Sequence, residues 1–191
     1  FNYNHYSKFR YYTIIIKLMI EIKNIKKSFD GSKILQNIST TFEKGKTNLI
    51  IGQSGSGKTV LLKCLLGLHQ PDNGEIIYDG TSNLNMNESD KTLLRREMGM
   101  VFQGSALFDS MSVLENVMFP LNMLTNKNEE EIREKAKSVI ERVELNNAID
   151  KLPSEISGGM QKRVAIARAI VMNPKYLFCD EPNSGLDPVS Y

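Results

Sequence analysis

From residue 19 onward, apolar and polar residues alternate in short stretches, a pattern typical of β-strands with one buried face. Pairs of turn-forming residues separate these stretches. The pairs are Asp30-Gly31, Lys44-Gly45 and Asp79-Gly80. The pattern predicts strands at residues 20–25, 34–42, 47–51 and 75–78, and an apolar helix at 58–66.

The middle of the chain, from about residue 89 to 152, has helical periodicity instead. The spacing is clearest at Ile132, Ala136, Val139 and Ile140, behind acidic residues at 129–131 that suit a helix N-terminus. A further helix is predicted at 159–172 and a buried strand at 176–179. Strands that alternate with helices favour an α/β fold with a mostly parallel sheet and a helical lobe.

Residues 1–18 differ from the rest of the chain, because they do not begin with Met and are crowded with Tyr, Asn and Phe. We expect them to be a non-native or disordered leader, with the domain formed by residues 19–191. A genuine N-terminal arm is the alternative. A signal peptide fits less well, since no small-residue cleavage site follows the apolar run. No stretch approaches the roughly 20 apolar residues that span a bilayer.

The composition is that of an ordinary globular protein, with 41% hydrophobic and 24% charged residues. A length of 191 residues is enough for one buried core. A net charge of +2 with interspersed signs gives no case for a nucleic-acid partner. Cys64 and Cys179 lie far apart in apolar runs, without metal-ligand spacing. They are interpreted as buried free thiols, which indicates a reducing, cytoplasmic compartment.

Residues 52–59 match the pattern G-x-x-x-x-G-K-[ST] between a predicted strand and a predicted helix. Glycines let backbone N–H groups point at phosphate oxygens, and the following helix adds its positive end. Lys58 is expected on the β- and γ-phosphates of ATP, and Thr59 on Mg²⁺. The predicted ATP contacts are Gly52, Gln53, Ser54, Gly55, Ser56, Gly57, Lys58, Thr59 and Val60.

Two carboxylates, Asp180 and Glu181, end the predicted strand at 176–179. The carboxyl ends of strands form the ligand-binding edge of α/β sheets. Asp180 suits the Mg²⁺ shell, and Glu181 suits the general base that polarises the attacking water. Without a phosphate loop elsewhere in the chain, a pair of solvated acids would be the better interpretation.

Residues 156–169 predict Ser157 at an N-cap position, followed by Gly158 and Gly159 and a long helix. This arrangement predicts a second anion site. The segment resembles the signature motif of ATP-binding cassette (ABC) ATPases. That resemblance implies a homodimer in which two subunits meet head to tail, with each ATP held between the phosphate loop of one and the Ser157 loop of the other.

The resemblance extends over about residues 20–189. Gln103 is similar to the Q-loop glutamine, which implies a catalytic role beside Lys58 and Glu181, contact with Mg²⁺ and a link to the membrane partner. Residues 184–187, with Asp187, resemble the D-loop that crosses the dimer interface. Phe29 matches the aromatic residue that stacks on adenine, although a lone aromatic fits a simple core position equally well.

The resemblance implies the ABC ATPase fold: a P-loop NTPase with a mostly parallel core sheet, an N-terminal antiparallel β subdomain and a helical subdomain inserted at about residues 89–157. Two features depart from the family pattern. Met160 stands where the family commonly has Gln, and the chain stops at Tyr191, before the family's histidine. We expect an incomplete domain that binds ATP but hydrolyses it poorly.

Residues 100–117 and the following Phe119-Pro120-Leu121 are similar to the ATPases of bacterial Mla-type phospholipid transporters. This similarity implies integral-membrane permease subunits, an MCE-domain lipid-binding protein and a peripheral position on the cytoplasmic face of the inner membrane. A hydrophobic groove for a permease helix is predicted beside Gln103. Its predicted lining is Leu107, Phe108, Met111, Val117 and Phe119, all of which could instead be core.

Three alternatives differ in class. An ABC ATPase of another importer or of a lipoprotein exporter shares much of the same sequence. A soluble ABC ATPase of DNA repair or translation usually carries a coiled-coil insertion or a second cassette, and neither is seen in this sequence. A P-loop kinase or GTPase would leave the helix behind Ser157 without a role.

Overall fold

The computed structural model of the protein describes residues 19–181. The predicted leader at 1–18 and the predicted D-loop at 184–187 lie outside that range. The described chain divides into two units, one made of residues 19–51 and 71–85 and the other of 52–70 and 86–181. Each unit is built around its own sheet.

The first unit is a four-stranded antiparallel sheet in the order β2-β1-β3-β4. Its strands are β1 Met19–Phe29, β2 Ser32–Glu43, β3 Asn73–Tyr78 and β4 Thr81–Ser82, and a 3-10 turn at Asn83–Asn85 follows. Asp30 and Gly31 close the first hairpin with positive φ angles of 48° and 80°, as a two-residue hairpin turn requires. The predicted antiparallel β subdomain is confirmed.

An irregularity in β1 keeps its apolar face on the core. Ile20 and Ile22 are buried two positions apart, and strict alternation would send Ile25 to the opposite face. The pairing of β1 with β2 shifts register between Ile22 and Ile25, where Asn24 has a φ of 53°. The extra residue turns Ile25 inward, and it is fully buried.

The predicted strand at 47–51 is wrong, because residues 47–53 have no regular secondary structure. Leu49 and Ile51 are 78% and 85% exposed. A strand needs a hydrogen-bonded neighbour, and no strand among residues 19–181 pairs with this segment. The apolar run therefore leads into the phosphate loop without regular secondary structure.

The second unit contains the parallel pair β5 Met98–Val101 and β6 Tyr176–Cys179. Its helices are α1 Lys58–Leu65, α2 Glu88–Arg96, α3 Val113–Leu124, α4 Glu129–Arg142 and α5 Gly158–Ile170, with 3-10 turns at Asn146–Ala148 and Pro153–Glu155. The helices predicted at 58–66 and 159–172 are confirmed to within two residues. No helix in residues 19–181 is both long and apolar enough to cross a membrane.

The prediction of a buried strand at 176–179 is wrong in its burial. Leu177 of β6 is 49% exposed, and among the described residues only β5 pairs with this strand. Cys179 is exposed as well, so the expectation of two buried thiols holds for Cys64 alone. The strand nevertheless runs parallel to β5, as the predicted α/β fold requires.

Helices α3, α4 and α5 pack together through fully buried side chains, here called the helical cluster. Its centre is formed by Val117, Leu121, Ala136, Ile140 and Val164. Val117 was predicted as a possible groove residue, but its complete burial places it in the core instead. The predicted period of α4 is confirmed, since Ile132, Ala136, Val139 and Ile140 are all buried on one face.

Candidate nucleotide-binding site

The predicted phosphate loop is a tight turn that runs directly into α1. Gly57 caps the helix with a φ of 92°, and Gly55 has a φ of 77°. A Cβ added to Gly52 would lie 2.6 Å from Ser56 Oγ, so a side chain there would require the Ser56 hydroxyl to rotate away. This geometry suits backbone N–H groups gathered around a phosphate at a helix N-terminus.

Lys58 folds back over this loop. Its Nζ donates to the carbonyl oxygens of Gly52, at 2.9 Å, and Gln53, at 3.0 Å. The ammonium group is thus held over the residues predicted to contact phosphate, where a point charge can pair with phosphate oxygens. Thr59 and Val60 follow in the first turn of α1.

Thr59 and Asp180 are brought together across 121 residues of sequence. Thr59 Oγ1 donates to Asp180 Oδ1 at 3.3 Å. Mg²⁺ prefers oxygen ligands and is usually bound by one or two protein groups together with phosphates and waters. A hydroxyl and a carboxylate side by side fit that donor set. Among residues 19–181 no group of three or more His, Cys, Asp or Glu side chains could hold a metal by itself.

Gln103 and Glu181 form the second long-range contact. Gln103 Nε2 donates to Glu181 Oε2 at 3.2 Å, and Lys58 Nζ lies 4.0 Å from Glu181 Oε1. The structure therefore gathers the five predicted catalytic and metal residues into one group, here called the acidic edge. Its members are Lys58, Thr59, Gln103, Asp180 and Glu181. Glu181 keeps about half of its side-chain surface exposed, so water can reach it.

The predicted second anion site begins α5. Ser157 is the N-cap of this helix, and its Oγ accepts a hydrogen bond from Met160 N at 3.3 Å. Gly158 is exposed, with open space where a side chain would stand. Met160, the departure from the family pattern, is partly buried and packs against the helical cluster. Asp187, the remaining predicted contact, lies outside the described residues.

Phe29, the predicted adenine-stacking residue, ends β1 in the other unit. It is 39% exposed, which excludes the simple core position that the sequence left open. Lys27 Nζ lies 5.2 Å from the centre of the ring and also donates to Asp72 at 2.7 Å. Sequence reasoning missed Lys27, although its position two residues before Phe29 puts both side chains on one face of the strand.

The phosphate loop contains Lys58 and the hydroxyl of Thr59, and Asp180 and Glu181 stand at the end of a strand. This combination defines a P-loop nucleotide-binding protein. Residues 35–184 match the ABC transporter family over more than three quarters of the chain, and the chain belongs to that family. Similar relatives and a similar solved structure agree with this assignment.

The chain is 42% identical over 170 residues to the "Probable ribonucleotide transport ATP-binding protein mkl" of Mycobacterium leprae, covering 89% of this chain and 49% of that protein. It is 44% identical over 170 residues to the glutamine transport ATP-binding protein GlnQ of Escherichia coli, covering 89% and 70%. The ATP-binding cassette MJ0796, solved as a dimer in a post-hydrolysis state with ADP and Pi, superimposes with a TM-score of 0.79 at 32% identity, covering 88% and 76%. The chain thus spans about half the length of Mkl.

Proposed function

We propose that this protein binds ATP with Mg²⁺ and hydrolyses it as one half of a homodimer, to power transport across a bacterial inner membrane. The observation that carries the proposal is the pair of long-range hydrogen bonds at the acidic edge, Thr59 to Asp180 and Gln103 to Glu181. These hydrogen bonds join residues far apart in sequence, so the fold itself brings the polar side chains together. Their chemistry matches phosphate, Mg²⁺ and an attacking water.

Each side chain of the acidic edge has a distinct task in the proposed reaction. Lys58 pairs with the β- and γ-phosphates, and Thr59 and Asp180 hold Mg²⁺. Glu181 accepts the proton of the attacking water, and Gln103 orients that water by its contact with the Glu181 carboxylate. Bound Mg²⁺ neutralises the negative charge that develops on the phosphate oxygens.

The homodimer is proposed because the chain carries two anion sites of different construction. The phosphate loop is one, and the exposed start of α5 at Ser157 is the other. A head-to-tail pair lets each nucleotide contact both kinds of site. The MJ0796 cassette, described as dimeric with ADP and Pi, supports a dimer as the working form.

A permease is the proposed membrane partner, and the proposed position is peripheral, on the cytoplasmic face. Phe108 is 39% exposed just after Gln103, and its ring centre lies 4.6 Å from that of Phe119. Leu107 and Met111 are partly buried beside them. These four residues form a smaller apolar surface than the predicted groove, since Val117 belongs to the core. A permease helix would pack on this surface.

The transported molecule is proposed to be a phospholipid, handled with an MCE-domain protein, on the sequence of residues 100–117 and Phe119 to Leu121. A second candidate, an amino acid importer, is favoured by the identity to GlnQ, whose name assigns it to glutamine transport. The proposed roles of the acidic edge are the same for both candidates. The ATPase subunit does not contact the transported molecule, so the identity of the permease distinguishes the two candidates.

The binding step is tested by titrating the purified protein with ATP, with Mg²⁺ and with EDTA. Lys58→Ala should weaken ATP binding by about 10- to 100-fold, because it removes the charge facing two phosphates. Lys63→Ala, an exposed lysine five residues further along α1, is the matched control and should bind as the wild type does. Equal affinity of the Lys58→Ala variant would contradict the proposed site.

The cargo is tested in liposomes that contain the protein with its permease. ATP hydrolysis that rises with an added MCE-domain protein and moves labelled phospholipid supports the lipid assignment. Hydrolysis stimulated by glutamine with its binding protein, and not by lipid carrier, would overturn it in favour of the amino acid importer.

A further inference from the structure

The backbone directly after Gln103 takes an unusual conformation. Gly104, Ser105 and Ala106 have φ angles of 78°, 66° and 46°, so three consecutive residues are left-handed. Only glycine adopts this conformation routinely, and usually as a single residue. Two of these three are not glycine, so contacts from elsewhere in the fold must hold the turn.

Arg168 of α5 supplies those contacts. Its Nη2 donates to the carbonyl oxygens of Ser105, at 3.0 Å, and Ala106, at 2.8 Å. The guanidinium carbon lies 5.7 Å from the ring centre of Phe108. Among the salt bridges of residues 19–181, none pairs Arg168 with a carboxylate. Burial lowers the pKa of this guanidinium, and the turn's carbonyls compensate for its lost hydration.

The other side of Gln103 is fixed by β5, which ends two residues earlier at Val101. Helix α5 packs directly on this strand, since a Cβ added to Gly99 would collide with the carbonyl oxygen of Ala169. Gln103 therefore lies between β5, which packs against α5, and the turn at 104–106, which accepts hydrogen bonds from Arg168. Its side chain reaches Glu181 from that position.

We propose that Arg168 is a positioning residue for ATP hydrolysis: it holds the left-handed turn at 104–106 and thereby keeps Gln103 against Glu181. This inference rests on the proposed ATPase function, and Arg168 acts through Gln103. The same helix carries Ser157 at its start, eleven residues before Arg168 and about 16 Å away along the axis. A shift of α5 in response to nucleotide at Ser157 would therefore move the turn beside Gln103.

The test compares two arginines of α5. Arg168→Lys keeps the charge but replaces the planar guanidinium, whose Nη2 donates to both carbonyls, with a compact ammonium on a different stem. Arg163→Lys is the matched control, because Arg163 Nη1 also donates to a backbone carbonyl, that of Val143 at 3.0 Å, but on the helical cluster side. Both variants are measured for thermal unfolding, ATP affinity and steady-state kcat and KM.

Arg168→Lys should lower kcat about 10-fold or more, while its ATP affinity stays within about twofold of wild type. Arg163→Lys should leave kcat within about twofold. Combining Arg168→Lys with Gln103→Ala should cost no more than Gln103→Ala alone, since the arginine acts through the glutamine. An unchanged kcat in Arg168→Lys, or losses that simply multiply in the double variant, would overturn the inference.

A second variant keeps the test decisive if Arg168→Lys fails to fold. Ala106 is exposed, and a β-branched residue tolerates its left-handed backbone poorly, so Ala106→Val perturbs the turn without touching α5. It should lower kcat without weakening ATP binding. The weak turnover expected of the wild type is sufficient for this comparison. Wild-type protein that neither binds ATP nor releases phosphate would refute the proposed function itself, whereas an Ala106→Val variant as active as the wild type refutes only the role of the turn.

Discussion

The helical cluster and the acidic edge are built in opposite ways. In the cluster, Leu121, Ile140 and Val164 are fully buried and belong to one apolar core shared by three helices that each begin with a capping side chain. At the acidic edge, exposed polar side chains meet through single hydrogen bonds of 3.2 and 3.3 Å that span 78 and 121 residues. The helical cluster is determined by the local sequence pattern and by burial of apolar side chains. The acidic edge depends on how distant segments of the second unit are arranged.

The difference explains why the two regions should respond differently to substitution. Removal of apolar surface from a packed core costs both transfer free energy and a cavity. An exposed hydrogen bond at the site contributes little to folding, because water replaces it. Substitutions in the cluster should therefore lower stability, and substitutions at the acidic edge should lower function with little change in stability.

The largest effect on stability is expected for Leu121→Ala. Leu121 is fully buried at the centre of the cluster, so its truncation should lower the free energy of unfolding by about 2–5 kcal/mol. Met123→Ala, on the same helix but 67% exposed, is the control and should change stability by less than about 0.5 kcal/mol. Denaturant unfolding measures both. Equal losses in the two variants would break the contrast between cluster and surface.

A smaller effect is expected at the start of α4. Asn128 caps this helix by accepting from Glu131 N at 2.9 Å, and Glu131 accepts from Asn128 N in return. Asn128→Ala should cost about 1 kcal/mol, whereas Asn128→Asp keeps the acceptor and should cost much less. Thermal unfolding of both variants distinguishes the lost cap from a general effect of substitution. A loss in Asn128→Asp as large as in Asn128→Ala would remove the cap from this account.

The smallest effect is expected on the outer surface of α4. Lys137 and Glu134 form an ion pair at 3.1 Å with both side chains largely exposed. Lys137→Ala should change stability by less than about 0.5 kcal/mol, because exposed pairs are screened and cost side-chain entropy. A loss comparable to that of Asn128→Ala would mean that this surface ion pair contributes as much to stability as the helix cap does.

The same contrast decides what could be predicted from the sequence. The helical cluster follows from spacing, since Ile132, Ala136, Val139 and Ile140 recur at the period of a helix and are all buried. The residues of the acidic edge were found by motif, because only a known chemical pattern links Thr59 to Asp180 across the chain. Their mutual contacts could not be derived from periodicity.

The failures have one physical cause. Residues 47–51 were predicted as a strand and residues 176–179 as a buried strand, because an apolar run does not show what pairs with it or covers it. Among the described residues β6 pairs on one side only, and the segment at 47–51 does not pair. Arg168 was missed for a related reason. It lies in a recognised motif, but its partners, the carbonyls of Ser105 and Ala106, are backbone groups that no sequence pattern identifies.

The most direct test of the acidic edge measures ATP binding and phosphate release in the same preparations of wild type and Glu181→Gln. The amide keeps the size of the side chain and its hydrogen bond to Gln103 but is a far weaker base. We expect ATP affinity and the midpoint of unfolding to stay within error of wild type, and phosphate release to fall by about 100-fold or more. Glu134→Gln on the outer surface of α4 serves as the control and should turn over normally. Release at the wild-type rate by Glu181→Gln would contradict the assignment of Glu181 as the base.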